Sequence, residues 1–283
     1  MDITSVRAIP VRHYGRWVTA GLLIAVVALF LHALWRSPNL EPGTIASYLF
    51  KDYVLRGVGV TLLLTAVAMV LGTAGAIVLA VLRLSANPVL RGAAWCFIWF
   101  FRGTPLLVQI IFWGFLGALF PRITIGLPLV GTLVDQPTSV VISGTTAAVL
   151  ALSLNEMAYA AEIVRGGLLA VDSGQTEAAH ALGMTPAQTL RRIVLPQAMR
   201  VIVPPMGNET ITMLKSTALV SVIAGRDLMT VVQGVYGGNY KVIPLLTVAA
   251  LWYLALVSLL SVGQYFVERR FGRGTRGPRE EVR

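Results

Sequence analysis

An all-α membrane protein with six transmembrane helices is the architecture this sequence predicts, and three observations carry the reading. The 283 residues are 56% hydrophobic and only 13% charged, with a mean hydropathy of +0.74. A soluble domain of this length carries about twice that charged fraction, so the surplus apolar surface belongs in lipid and the interior is mostly helix–helix contact. Six stretches reach the length of about 20 apolar residues that a bilayer crossing requires. Lys and Arg are distributed unevenly among the segments between those stretches, as in polytopic membrane proteins.

In chain order, span 1 is Trp17 to Trp35, bracketed by two tryptophans that suit the membrane interfaces. The polar segment Met1 to Arg16 precedes it, and the apolar run is long for a signal peptide, so it reads as a span that stays. Span 2 is Gly57 to Leu82. Span 3 is Ala93 to Phe120, interrupted by Arg102-Gly103-Thr104-Pro105. Span 4 is Val140 to Ile163, span 5 about Val201 to Ile223, and span 6 Ile243 to Val267. An even number places both termini on one side. Arg7, Arg12 and Arg16, the Arg83 to Arg91 loop, the Arg165 to Arg200 loop and the Arg-rich tail make that side cytoplasmic, with loops 36–56, 121–139 and 224–242 outside. The expected organisation is 1–56 for the N-terminal tail, first span and outer loop, 57–268 for the main transmembrane unit, and 269–283 for a basic cytoplasmic tail.

Composition excludes several function classes. The net charge of +10 is concentrated beside the membrane, with six Arg in residues 269 to 283, which indicates anionic lipid headgroups and not nucleic acid. The single Cys96 lies in an apolar run, so no disulfide framework or cysteine metal site is expected. There is no Gly-rich P-loop, hence no ATP hydrolysis by this chain. His13, His32 and His180 are scattered, no cluster has metal-ligand spacing, and no serine or cysteine has a base beside it. No catalytic residue and no cofactor of its own is expected.

The segment 172–196 is the most polar stretch between spans. Asp172 caps a first short helix, with Gln175 placed to reach back; Gly183 is a left-handed stop; Thr185, Pro186 and Gln188 form a capping box for a second helix, which Pro196 ends. A capped helical hairpin this polar lies in water at the membrane surface, where something soluble can grip it.

Charge at membrane depth costs about 2.5–3.5 kcal/mol per residue on insertion scales, so each instance needs a reason. Arg102 sits where Gly103 and Pro105 loosen the helix, and Thr104 can satisfy freed carbonyls. It reads as part of a translocation path or as a structural cation paired with an acid. Glu162 and Arg165 are spaced as a local pair, while the deeper Glu156, beside Asn155, either pairs with Arg102 or lines a cavity. Asn208, Glu209, Thr210, Lys215, Ser216 and Thr217 follow the doublet Pro204-Pro205. Glu209, Met213 and Ser216 or Thr217 share one helix face. They suit a small zwitterionic solute, or else form a polar network between helices. Asp227 and Arg226 cap a short helix.

Glu177-Ala178-Ala179, then Gly183, then Ile193-Val194-Leu195-Pro196 resembles the EAA loop of ABC importer permeases, with four elements in register. Arg102-Gly103-Thr104-Pro105-Leu106-Leu107-Val108-Gln109 is similar to a signature of polar amino-acid permeases, as are Ala158 to Gly166, Gly174-Gln175 and Lys215 to Leu219. The resemblance covers roughly residues 57 to 268. It implies a type I ABC importer permease in the cytoplasmic (inner) membrane that moves a polar amino acid inward. It implies that Glu177, Ala178, Ala179, Gly183, Ile193, Leu195 and Pro196 couple to a separate ATPase. It also implies a solute path of Arg102, Thr104, Asn208, Glu209, Ser216 and Thr217. The partners implied are two ATP-binding subunits that hold ATP and Mg, a second permease copy or paralogue, and an extracytoplasmic solute-binding protein. Against this stand a self-sufficient secondary carrier or channel, which has no need of the capped hairpin, and a membrane scaffold, which leaves the buried charges without a purpose.

Overall fold

The computed structural model describes residues 14–127 and 131–271. Arg7, Arg12, His13 and most of the Arg-rich tail lie outside the described residues. The first span is helix α1 (Tyr14–Trp35), exposed along its whole length. A short α2 (Pro42–Leu49) leads into α3 (Asp52–Leu84). Asn87 accepts from Val89 N at 2.9 Å and caps α4 (Pro88–Gly103), with Pro88 at the first position, where its missing N–H costs nothing. Helix α5 (Leu106–Gly114) follows at 99° to α4. The third span is therefore a pair of helices bent sharply at the break.

The chain continues through α6 (Leu116–Leu119) into a feature that an all-helical reading omits. Strands β1 (Arg122–Leu127) and β2 (Gly131–Pro137) form an antiparallel hairpin, with Arg122 opposite Pro137 and Thr124 opposite Asp135. Arg122 Nε donates to Asp135 Oδ1 at 2.9 Å. After α7 (Thr138–Val141), α8 (Gly144–Leu169) is the fourth span. The hairpin of the opposite end holds α9 (Ser173–Ala181) and α10 (Pro186–Thr189), and α11 (Leu195–Ser216) runs into a 3-10 turn over Thr217–Ile223. Helices α12 (Leu228–Asn239) and α13 (Val242–Phe271) complete the described chain. Among the described residues, four helices are individually long and apolar enough to cross a membrane; counting each bent pair as one span gives six.

Pro196 does not end the second hairpin helix. Residues Leu190–Val194 form a π-turn, in which Leu195 N donates to Leu190 O, and Pro196 falls in the first turn of α11. The wider turn absorbs the proline's missing N–H and the clash of its ring with the preceding carbonyl, so the chain stays helical from Pro186 to Ile223.

The core is the α3–α8 interface. Ala68, Gly72, Ala76 and Ala80 recur every four residues on α3, and all of them are buried. Ala68 packs with Ala148 and Ala151 of α8, Ala76 with its Ala160 and Ala161, and Ala80 with its Val164. Small residues let two backbones approach closely where no hydrophobic force separates protein from lipid. Gly72 is the tightest point for backbone-near atoms: a Cβ there would lie 2.5 Å from Glu156 Cγ and 2.7 Å from its Cβ. A second cluster joins Val54 and Val58 of α3 to Leu228 and Val232 of α12 and Leu245 and Val248 of α13. Lys241 Nζ donates to Glu41 Oε2 at 2.5 Å and holds that carboxyl below its usual range, tying α2 to the start of α13.

Gly72→Ala is expected to lower the thermal midpoint of the detergent-solubilised protein, by an overpacking cost of about 1–3 kcal/mol. Gly59→Ala, where an added Cβ meets nothing within 4 Å, is expected to leave the midpoint unchanged. Equal midpoints for both variants would remove Gly72 from the core account.

Candidate functional site

The break between α4 and α5 is built by Pro105. The ring removes an N–H and pushes Thr104 into extended backbone, φ −111° and ψ 140°. Three carbonyls near the break find side-chain donors. Thr104 Oγ1 donates to Phe100 O at 2.9 Å, as the sequence anticipates. Gln109 Nε2 reaches back to Phe101 O at 2.9 Å and Thr104 O at 3.1 Å. Asn155 Nδ2, from α8, donates to Phe101 O and to Gln109 Oε1, each at 3.2 Å. The break is thus clamped to the core helix by amides.

A chamber of about 500 Å³ opens beside this clamp. Helix α4 contributes Arg102; Thr104 and Pro105 line the break. Helix α8 contributes Asn155, Glu156 and Tyr159, and α11 contributes Glu209, Thr212, Met213 and Ser216. The spacing 209, 212, 213, 216 is one helix face. Arg102 Cζ lies 5.2 Å from the Tyr159 ring centroid, a cation–π contact, and among the described residues it has no carboxylate at ion-pair distance. Glu156 is 2% exposed, and its Oε1 has no hydrogen-bond partner among the described residues. Of the alternatives left open for Glu156, it lines a cavity. Glu162 is committed elsewhere: Arg165 Nη2 and Nε donate to its Oε2 at 2.6 and 3.0 Å.

The structure therefore brings Arg102, Thr104, Glu209 and Ser216 of the expected path together, and separates two. Asn208 is exposed and does not line the chamber. Thr217 is fully buried and spends its hydroxyl on Leu214 O at 2.7 Å, closing the 3-10 turn. Lys215 is one residue off the lining face and exposed, so no ammonium joins the chamber. Sequence reasoning missed Tyr159, although its spacing from Asn155 and Glu156 puts all three on one side of α8. It also missed the role of Gln109, for which only its place four residues after a proline break gave a signal.

At the polar hairpin, Asp172 Oδ1 accepts from Gly174 N at 2.7 Å. Gln175 does not reach back to the cap; its Oε1 faces Gln197 Nε2 at 3.5 Å. Gly183 has φ +76°, and the paired bonds Gly183 N to His180 O and Met184 N to Ala179 O complete a left-handed helix stop. The Thr185–Gln188 capping box forms in both directions. Glu177, Ala178 and Gly183 are exposed, whereas Ala179 is 2% exposed and packs inward, so it offers no surface to a partner. Ile193 is half-buried, while Leu195 and Pro196 are exposed on the way into α11. Leu182, at the tip, is 83% exposed.

Residues 72–273 match the family described as binding-protein-dependent transport system inner membrane component. This chain belongs to that family. It is accordingly a multi-pass membrane permease and a transport subunit. It is 43% identical over 271 residues to the arginine transport system permease protein ArgU of Corynebacterium glutamicum, covering 95% of this chain and 84% of that one. It is 36% identical over 215 residues to the histidine/lysine/arginine/ornithine transport system permease protein HisM of Salmonella typhimurium, covering 76% and 88%. Among solved structures, an amino acid ABC transporter crystallised with histidines superposes with a TM-score of 0.63 at 34% identity, covering 77% of this chain and 94% of that one. The methionine ABC transporter MetNI, inward facing, gives 0.59 at 23% identity over 82% and 98%, a likeness of fold alone.

Gln109→Leu should strip its donor from the Thr104 carbonyl, leave Phe101 O to Asn155 alone, and lower stability by about 1–3 kcal/mol for the carbonyl left unpaired. The check is thermal unfolding in detergent; a midpoint equal to wild type would show that the break does not depend on the amide clamp.

Proposed function

We propose that this permease moves a cationic amino acid, of which arginine is the first candidate, through the chamber between α4, α8 and α11. One observation carries the reading: two carboxylates, Glu156 and Glu209, and one guanidinium, Arg102, line the same 500 Å³ space. Arg102, with no acid of its own, is available to the α-carboxylate of a solute. Glu209 and Glu156 take the α-ammonium and a cationic side chain. Tyr159 holds the Arg102 guanidinium by its ring face until a carboxylate arrives. The names of the relatives, arginine and histidine/lysine/arginine/ornithine permeases, support the same class.

Residues 57–268 serve as the transport unit, with 1–56 and 269–283 as additions to it. Transport is driven from outside the chain. Two separate ATPase subunits, which hold ATP and Mg, grip the 172–196 hairpin on the cytoplasmic side of the inner membrane. A second permease copy or paralogue completes the path, and an extracytoplasmic binding protein delivers the solute. Glu177 and Ala178 form the exposed contact surface with Leu182, and Gly183 keeps the turn. The helix from Pro186 through Ser216 is unbroken, so motion of the hairpin reaches Glu209 and Ser216 without an intervening loop. The link on the other side is three residues, Ala170 to Asp172, from the end of α8.

Glu209→Gln is expected to raise the apparent KM for arginine uptake by about tenfold, the loss of one charge-assisted contact, while the variant still assembles with the ATPase. An unchanged KM assigns Glu209 to the scaffold. Leu182→Asp and Glu177→Lys are expected to abolish stimulation of ATP hydrolysis by solute, with membrane insertion intact; wild-type coupling in both would remove the hairpin from the ATPase interface.

A further inference from the structure

A second cavity, of about 430 Å³, adjoins the chamber on the far side of Arg102 and is lined by Arg83, Trp95, Trp99, Arg102, Tyr159 and Glu162. Its chemistry is unlike that of the chamber. Arg83 lies one residue before the end of α3, and among the described residues it has no carboxylate within ion-pair distance. Its Nε is shut off from solvent without a hydrogen-bond partner. A buried guanidinium N–H left unpaired is costly, and the one carboxylate in the cleft is occupied, since Arg165 donates twice to Glu162. The cleft therefore holds two guanidinium groups against a carboxylate that is already neutralised.

The outer wall supplies the second half of the argument. Trp95 and Trp99, one turn apart on α4, stack with centroids 6.1 Å apart and planes 15° apart. They are 49% and 63% exposed, facing away from the bundle. Tryptophan prefers the headgroup level of a bilayer, and Arg83 stands near the end of α3, beside the short 85–87 loop, where Arg83 and Arg91 mark a membrane boundary by the charge pattern. A cleft with an exposed tryptophan wall and an arginine that makes no ion pair among the described residues matches the phosphodiester of a phospholipid.

We propose that this cleft binds the headgroup phosphate of an anionic membrane lipid, with Arg83 as the principal contact and the Trp95–Trp99 pair against the glycerol and upper acyl region. Arg102 faces the cleft as well as the chamber, so the lipid sits one side chain from the solute. The site stands on Arg83 and the tryptophans and does not depend on which solute the chamber carries.

The test is native mass spectrometry of the full-length chain, delipidated in a neutral detergent and titrated with phosphatidylglycerol, with phosphatidylcholine, and with phosphatidylglycerol in the presence of inorganic phosphate at matched ionic strength. Wild type is expected to retain phosphatidylglycerol in preference to phosphatidylcholine. Arg83→Gln is expected to retain it about tenfold more weakly, and Arg91→Gln, on the exposed face of α4, as well as wild type does. Equal retention of the two lipids, or unchanged retention in Arg83→Gln, overturns the proposal. Equal weakening in Arg91→Gln does the same, since it shows a diffuse surface charge effect, and full displacement by inorganic phosphate identifies a free-anion site instead. If Arg83→Gln loses its helical circular dichroism, Arg83→Lys decides: weaker retention supports the site, and wild-type retention rejects it.

Discussion

Pro105 has no N–H to offer the carbonyl of Phe101, and a bilayer has none either. In water that defect costs little; at membrane depth each unpaired carbonyl costs several kcal/mol. Gln109 and Asn155 answer it from two different helices, and Thr104 covers the neighbouring carbonyl of Phe100. Because Asn155 belongs to α8, the break can persist only where α8 is held against the α4–α5 corner. The close seating of α8 in turn depends on the small residues Ala68, Gly72 and Ala76 on α3, and Gly72 leaves the room that Glu156 fills. Break, amide clamp and small-residue seam form one arrangement. The chamber is the space left beside it.

That arrangement also explains how charge is tolerated there. Arg102 rests on the face of Tyr159, and Glu156 and Glu209 are carried on helices whose other faces are apolar. The three charged groups are separated by a cavity wide enough for a solute, and they do not neutralise one another directly. On α11 the chain passes three prolines without losing its helical course. The π-turn accommodates Pro196, and Gln264 of α13 donates to the carbonyl of Pro204 at 2.8 Å, with its amide packed directly over Gly207. A helix secured in this way joins the exposed hairpin to the chamber without a break.

Much of this was legible in the residues, and the reason differs from part to part. Hydropathy set out the crossings, because lipid imposes one length on every span. The caps at Asp172, Thr185 and Gly183 were legible because capping is decided within four residues of chain. Glu209 and Ser216 were legible as a face because helical spacing is local as well. The failures are all of longer reach. Pro196 read as a stop because the compensating π-turn has no sequence signature of its own. Ala179 read as a contact residue because its motif does not say which side of the helix meets the chain's own core. Thr217 shares a face with Glu209 at helical spacing, but the switch to a 3-10 turn after Ser216 rotates it inward. Gln109 and Asn155 are 46 residues apart, and nothing in either neighbourhood announces the other. The β1–β2 hairpin lies in a stretch whose alternation was overshadowed by the apolar spans on either side.

The central claim is that the space beside the Arg102–Pro105 break is where the solute resides. Thr212 lines that space from α11. In a Cys96→Ser background, Thr212→Cys in the assembled transporter can be labelled with a small water-soluble thiol reagent in the presence and absence of arginine. The account predicts labelling that arginine slows in a saturable way and that glutamate does not. Labelling at the same rate with and without arginine, at concentrations that saturate uptake, would contradict it.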